Sequence, residues 1–455
     1  MSERRCRTRS ERHRSRERVP EPSRPEVVAA DAAGAGCRLP AHGELPSRRQ
    51  ALAWLFGALC VPNSQASSAA SAAPQRSATM PPTGSDVGSL YPFIQSQTVH
   101  GEPRLSFLRE EFRGAAAWKR RARARLLDLL HYAPPKCAPR AEVLSRAERD
   151  GYVEEQIAFN TTPDIRAPAA VLVPKGLKGR APAIVALHDH GGFYFWGREK
   201  LIEQPDEHPV LSDFKRQYYA GRSIASELAR RGNVVIVIDM FYWGERRLLL
   251  DGDPADWRVR PRDVTRERIQ AFNQRAGQSE DIVGRTIGAA GFTWPGVMFW
   301  DDIRTVDYLV TRPDVDPARV GCVGLSVGGL RSCHLAALDD RIKASVVVGW
   351  MASFPAQLKR HIRYTIGPSM LVPGLYHDLD YPDVASLALP KPLLVINGSR
   401  DTLFDPACVQ ASFDKLHACY TKAGAADRLR TRLYDTPHEF NTEMQAEAWE
   451  WLSRI

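Results

Sequence analysis

"RVGCVGLSVGGLRS", residues 319–332, decides how this 455-residue chain reads. An apolar, β-branched run ends in Gly324-Leu325-Ser326-Val327-Gly328, and a helix-compatible segment follows. A sharp strand-to-helix turn of the form G-x-S-x-G forces strained backbone on its central serine. Side chains two residues to either side would collide, so both positions demand glycine. The turn lifts the serine Oγ clear of the sheet and aims the N-terminus of the following helix at any oxyanion formed there. Ser326 is the candidate nucleophile.

The same grammar extends in both directions. "AIVALHD", "NVVIVIDMF", "RVGCVGL", "ASVVVGWM", "PLLVING" and "LRTRLYD" are short, nearly continuous apolar runs, as strands buried on both faces are. Helical segments are expected between them at 220–231, 301–312, 327–338, about 405–421 and 443–453. Two antiparallel strands, 152–160 and 166–174, precede them. Alternating strand and helix predicts an α/β fold with a doubly wound, mostly parallel sheet. Two connections, 241–300 and 351–390, are too long for turns. Both follow the C-terminal ends of predicted strands, the edge where such sheets bind ligands, so they read as cap insertions. The expected organisation is a leader over 1–78, a helical extension over 79–150 carrying a helical pattern from residue 105, and a catalytic domain over 151–455.

A serine nucleophile needs a base and an orienting acid, and after such an elbow they follow in the order Ser, Asp/Glu, His. "KPLLVINGSRDTLFD" delivers Asp401 beyond one strand, and "RTRLYDTPHEF" delivers His438 beyond the next. Asp405 reads instead as the N-cap of the helix opened by Pro406. Asp435 is too near His438 and belongs to the strand end. Arg331, close to the elbow, reads as an exposed helix arginine, and the pair Asp339-Asp340 as structural.

With "GLSVGG", "NGSRDTLFD", "HEFNTEMQAEAWEWL" and the earlier "LHDHGG" in place, the chain from about residue 150 resembles the α/β-hydrolase superfamily. More narrowly, it resembles the dienelactone-hydrolase-like and acetyl-xylan-esterase-like branch. The resemblance implies a serine hydrolase of carboxylic esters: Ser326 attacks, His438 takes its proton, and Asp401 holds the imidazole. The expected substrate is a small-molecule or carbohydrate ester, an acetylated or otherwise esterified carbohydrate among them, and no cofactor is implied. Dienelactone hydrolases proper use a cysteine nucleophile where serine stands here. The alternatives are a serine peptidase of the same fold and a catalytically silent binding module.

"ALHDHGGFYFWG", residues 186–197, follows the third predicted strand and is the expected oxyanion loop. Its backbone N–H, from His190 or the next glycine, would act with that of Val327. Gly191 and Gly192 allow close approach to substrate. Trp196 and, from a later loop, Trp243 are candidate pocket walls. A metal site built on His188 and His190 lacks a third convergent ligand, so no metal is expected.

Composition narrows the rest. Hydrophobic residues at 44% and charged residues at 25% suit a globular protein. The net charge of +9 is concentrated at the front: residues 1–49 hold 12 Arg/Lys against 7 Asp/Glu, and the remainder 50 against 46. A nucleic-acid partner is therefore not expected. Arg48-Arg49 precede an apolar run, Ala51–Val61, too short to span a bilayer but suited to a signal peptide. Ala70-x-Ala72 offers a cleavage site. The pattern resembles a twin-arginine export signal behind an oversized n-region, which places the mature protein in the periplasm or medium; without a working signal it stays cytoplasmic. No membrane segment is expected beyond Ala78. Cys137, Cys322, Cys333, Cys408 and Cys419 form no CxxC pair, so neither a disulfide framework nor a zinc site is expected.

Overall fold

The computed structural model describes residues 81–455. The export signal read at 48–72 lies outside the described residues. Nine strands form one sheet: β1 (Glu142–Glu148), β2 (Tyr152–Asn160), β3 (Arg166–Pro174), β4 (Ala181–Leu187), β5 (Val234–Ile238), β6 (Val315–Leu325), β7 (Ile342–Val348), β8 (Leu393–Gly398) and β9 (Leu429–Tyr434). Their spatial order is β1-β2-β3-β5-β4-β6-β7-β8-β9. The pairs β1–β2, β2–β3 and β3–β5 are antiparallel, and every pairing from β5 to β9 is parallel.

The continuous apolar runs are buried on both faces because both are covered. Along β4, Ala183 and Val185 join one apolar cluster while Ile184 and Ala186 join the other; β5 divides Val234, Ile236 and Ile238 from Val235 and Val237 in the same way. Two-residue alternation thus feeds two cores, one on each side of the sheet.

Four expectations need correction. β1 was not anticipated: its sequence, EVLSRAE, is exposed along nearly its whole length and carries no apolar alternation, as an edge strand without a covered face. The loop read as the oxyanion loop, 186–197, therefore follows the fourth strand rather than the third. The helical pattern from residue 105 yields a helix only over Ala115–Leu130, because residues 105–112 fold back in turns that bury Phe107 and Phe112. Residues 220–231 give a helix only over Ile224–Arg230, preceded by an unanticipated helix at Pro209–Tyr219. Ala220 and Gly221 between them sit at φ +55° and +75°, a left-handed turn no helix passes through. The helix expected over 301–312 begins earlier, at Trp294, where Thr293 caps it and Pro295 occupies its first turn.

Both long connections sit beyond the C-terminal edge of the parallel strands. The first holds the 24-residue helix Arg266–Ala289. The second is a chain of four short helices between Phe354 and Ser386. Among the described residues, no helix is long and apolar enough to cross a membrane, and all five cysteines are unpaired.

Candidate active site

Ser326 follows β6 with φ 59° and ψ −125°, a backbone region that costs roughly 1–3 kcal/mol for a residue with a side chain. The turn is locked by close approach. A Cβ on Gly324 would stand 2.3 Å from the carbonyl carbon of Gly328, and one on Gly328 would stand 2.0 Å from the carbonyl oxygen of Leu187. No other residue fits either position. The N–H of Ser326 donates to the Val348 carbonyl at 2.8 Å, tying the elbow to β7.

Asp401 follows β8 and His438 follows β9, so all three candidates leave parallel strands at one edge. The buried carboxylate of Asp401 meets His438 Nδ1 at 2.6 Å through Oδ2, while Oδ1 accepts the Leu403 N–H at 2.9 Å. The carboxylate is thereby fixed from both sides. His438 also lies over Gly349, where a Cβ would come within 3.1 Å of Cε1. Gly349, at φ +61°, leaves the space the imidazole occupies. Ser326 and His438 line one cavity of about 400 Å³. Among the hydrogen bonds of the described residues, none joins their side chains directly; His438 Nε2 takes part in none. Asp405 instead caps the helix Pro406–Lys422, and Asp435 pairs with Arg400 at the surface.

The loop after β4 contributes its backbone. His190, Gly191 and Gly192 line the same cavity as Val327. The Gly192 N–H is already taken, donating to His190 Nδ1 at 2.9 Å. The N–H groups of Val327, His190 and Gly191 donate to no group among the described residues. These are the donors available to an oxyanion.

The loop histidines are structural groups in two different ways. His188 is fully buried; its Nε2 accepts the Met240 N–H at 3.0 Å and its Nδ1 faces the Asp189 carbonyl at 2.9 Å. Burial, reinforced by Lys200 and Arg331, holds its pKa well below the usual imidazole range, so the ring is neutral. His190 accepts from Gly192 on Nδ1 and donates from Nε2 to Glu280 at 2.8 Å. With all four ring nitrogens committed, neither histidine has a lone pair to offer a metal. Among the described residues no group of three His, Cys, Asp or Glu converges as a metal site.

Three sequence expectations fail here. Trp243 is fully buried and turned beneath the loop, where its indole N–H donates to the His190 carbonyl at 3.2 Å. Trp196 lines a separate cavity of about 250 Å³ with His208 and Arg260. Neither tryptophan walls the Ser326 cavity: the Trp243 indole is held beneath the loop by the His190 carbonyl, and Trp196 faces the other cavity. Arg331 is not exposed at all. The helix Val327–Leu338 is buried on nearly every face, and the guanidinium grips Asp302 through two hydrogen bonds of 3.0 and 2.6 Å.

The residues that do wall the cavity come largely from the insertions. Helix Arg266–Ala289 supplies Glu280, and the second insertion supplies Arg363, Tyr364, Thr365, Gly367 and Met370. Tyr218, Trp350, Leu403 and Phe404 complete it. Of these, Trp350 stands inside a predicted strand run and Leu403 and Phe404 inside the stretch that carries Asp401, but none of them reads as a wall from the sequence.

Residues 218–419 match the model of the dienelactone hydrolase family, and residues 89–251 match that of an abhydrolase family. A Bacillus subtilis (strain 168) protein assigned as a hydrolase, YtaP, is 28% identical over 332 residues, covering 73% of this chain and 98% of its own. Among solved structures, a Bacteroides fragilis protein assigned as an acetyl xylan esterase superposes with a TM-score of 0.58 at 18% identity, covering 77% of this chain and 84% of its own. A glucuronoyl esterase of Solibacter usitatus gives a TM-score of 0.53 at 13% identity, covering 79% and 99%. Identities this low establish a shared fold. The parallel sheet, the glycine-locked turn after β6 and the two family matches together give the chain the α/β-hydrolase fold, with the pattern of the dienelactone hydrolase family over residues 218–419.

Proposed function

We propose that this hydrolase is a serine esterase in which Ser326, His438 and Asp401 form the catalytic triad. The observation that carries the reading is the 2.6 Å Asp401–His438 bond beside a strained, glycine-locked serine in one cavity. Ser326 Oγ attacks the ester carbonyl, the carbonyl π pair moves onto oxygen, and His438 Nε2 takes the hydroxyl proton. Asp401 holds the Nδ1–H tautomer and stabilises the imidazolium. The oxyanion is received by the N–H of Val327 and by the His190–Gly191 corner. Collapse expels the alcohol with the proton from His438, leaving an acyl-enzyme. Water, deprotonated by His438, then releases the acid and restores Ser326.

The substrate in this reading is a carboxylic ester of a carbohydrate. Fold likeness to an acetyl xylan esterase and a glucuronoyl esterase supports that class. So does the cavity wall of Tyr218, Trp350, Tyr364 and Phe404, since aromatic faces suit the apolar faces of sugar rings. The test is turnover of a short-chain nitrophenyl ester. Ser326→Ala is expected to lose about 10⁵–10⁶ in kcat; activity equal to wild type overturns the assignment.

Export belongs to the same proposal, on the strength of Arg48-Arg49, the apolar run and Ala70-x-Ala72. Protein recovered from the periplasm or medium is expected to begin at Ala73. Recovery of the intact chain from the cytoplasm alone refutes it.

A further inference from the structure

Lys200 has no place in the chemistry just described, and its side chain has no contact with solvent. It sits at the end of the turn Arg198–Lys200, and its ammonium is directed at the back of the loop after β4. Nζ donates to the Asp189 carbonyl at 2.9 Å and to the His190 carbonyl at 3.1 Å, and approaches Asp189 Oδ2 at 3.4 Å. The rings of Phe214 and Phe193 close the cage, at 5.1 and 5.9 Å from their centroids. Tyr219, also fully buried, donates to the other Asp189 oxygen at 2.6 Å. Burial pulls the lysine pKa down, and the Asp189 carboxylate opposes that pull. Taking an ammonium and a carboxylate out of water is costly for each ion, so packing alone is a poor reason for this arrangement.

What the lysine holds explains its presence. In a trans peptide the C=O and the following N–H point in opposite directions. Carbonyls 189 and 190 both turn inward to one ammonium, so the N–H groups of His190 and Gly191 both turn outward, on the cavity side. Those are the two loop N–H groups that find no partner among the described residues. A cation on a peptide oxygen also draws electron density from the nitrogen of that peptide, which makes its N–H a stronger donor.

We infer that Lys200 is a positioning residue for the oxyanion hole, which orients and polarises the 189–190 and 190–191 peptides so that the His190 and Gly191 N–H groups both receive the oxyanion. The inference rests on the serine-esterase reading above. Asp189 and Tyr219 act behind it by holding the ammonium in place.

The test compares a carboxylic ester with its thiono analogue, C=S in place of C=O, in one enzyme preparation. Sulfur is larger and a weaker hydrogen-bond acceptor, so an intact oxyanion hole favours the oxygen substrate. The oxo:thiono ratio of kcat/KM is independent of how much of a preparation is folded, which a merely structural role does not move. Loss of one oxyanion donor costs about 10²–10³ in kcat. Lys200→Met is therefore expected to lose roughly 100-fold in kcat with KM little changed, and to lower the oxo:thiono ratio about tenfold. Lys200→Gln, which reaches one carbonyl, is expected to fall between Lys200→Met and wild type. A wild-type ratio in a folded variant overturns the inference, as does failure of both variants to fold, which makes Lys200 a folding residue. Full activity in Ser326→Ala instead defeats the triad itself. If Ser326→Ala is inactive and the ratio stays unmoved, only the role of Lys200 falls.

Discussion

Two histidine–carboxylate pairs stand at the mouth of the same cavity. His438 meets Asp401 at 2.6 Å, and His190 meets Glu280 at 2.8 Å. Each carboxylate is largely screened from water, and each histidine lines the cavity with Ser326. Distance alone does not tell a base from a brace. The difference is at the second nitrogen. His438 commits Nδ1 and leaves Nε2 unbonded, so it can take and return a proton. His190 accepts the Gly192 N–H on Nδ1, which fixes its proton on Nε2 and directs that proton to Glu280. A base needs an uncommitted lone pair, and of the two histidines only His438 has one among the described residues. The brace has a different value, since it ties the loop after β4 to a helix of the first insertion.

The sharpest way to break this comparison is at Asp401. Asp401→Asn preserves shape but offers Nδ1 an amide that favours the wrong tautomer, with the lone pair turned away from Ser326. A loss of about 10⁴ in kcat is expected on a short-chain ester, with the circular-dichroism spectrum and melting temperature little altered. A loss below tenfold would mean that the Asp401–His438 pair is not the working one.

His190→Ala comes next and is smaller. It deletes an imidazole whose nitrogens both serve the loop, while leaving the backbone N–H that the oxyanion needs. Lys200 and Trp243 still hold the His190 carbonyl from behind. A fall of about tenfold in kcat is expected, from a loosened corner. Loss comparable to that of Asp401→Asn would promote His190 from brace to catalytic base.

The two pairs were unequally legible in the sequence for a physical reason. Asp401 and His438 each follow a parallel strand directly, and strand ends at one sheet edge converge whatever the rest of the chain does. The elbow was legible because a steric demand at Gly324 and Gly328 admits one residue type. Glu280 carried no signal: it lies inside a 24-residue helix of an insertion, and its place over the loop depends on how that insertion folds back. The aromatics misled for the converse reason. Trp196, the last of four aromatics at Phe193–Trp196, reads as a pocket wall in the sequence, yet Phe195 beside it is fully buried and Trp196 itself turns into another cavity. Arg331 was misread because its partner, Asp302, is a distant residue on the preceding helix. Local pattern reports the backbone of this fold well and reports the loop-built walls poorly, because those walls are set by contacts far apart in the chain.

Glu280→Gln carries the smallest expected effect and the finest distinction. If His190 is neutral and donates from Nε2, a glutamine side chain accepts that bond through Oε1 nearly as well as the carboxylate does. The brace then survives with a neutral partner, and kcat is expected to change by less than about threefold, since a neutral hydrogen bond is roughly half as strong as a charge-assisted one. Were Glu280 needed to orient a basic His190, or to bear charge during turnover, the same substitution would act as Asp401→Asn does. Measuring both variants on one substrate therefore separates a carboxylate that stabilises a cation in each catalytic cycle from one that only holds a loop. The separation rests on a change of a single atom at each site.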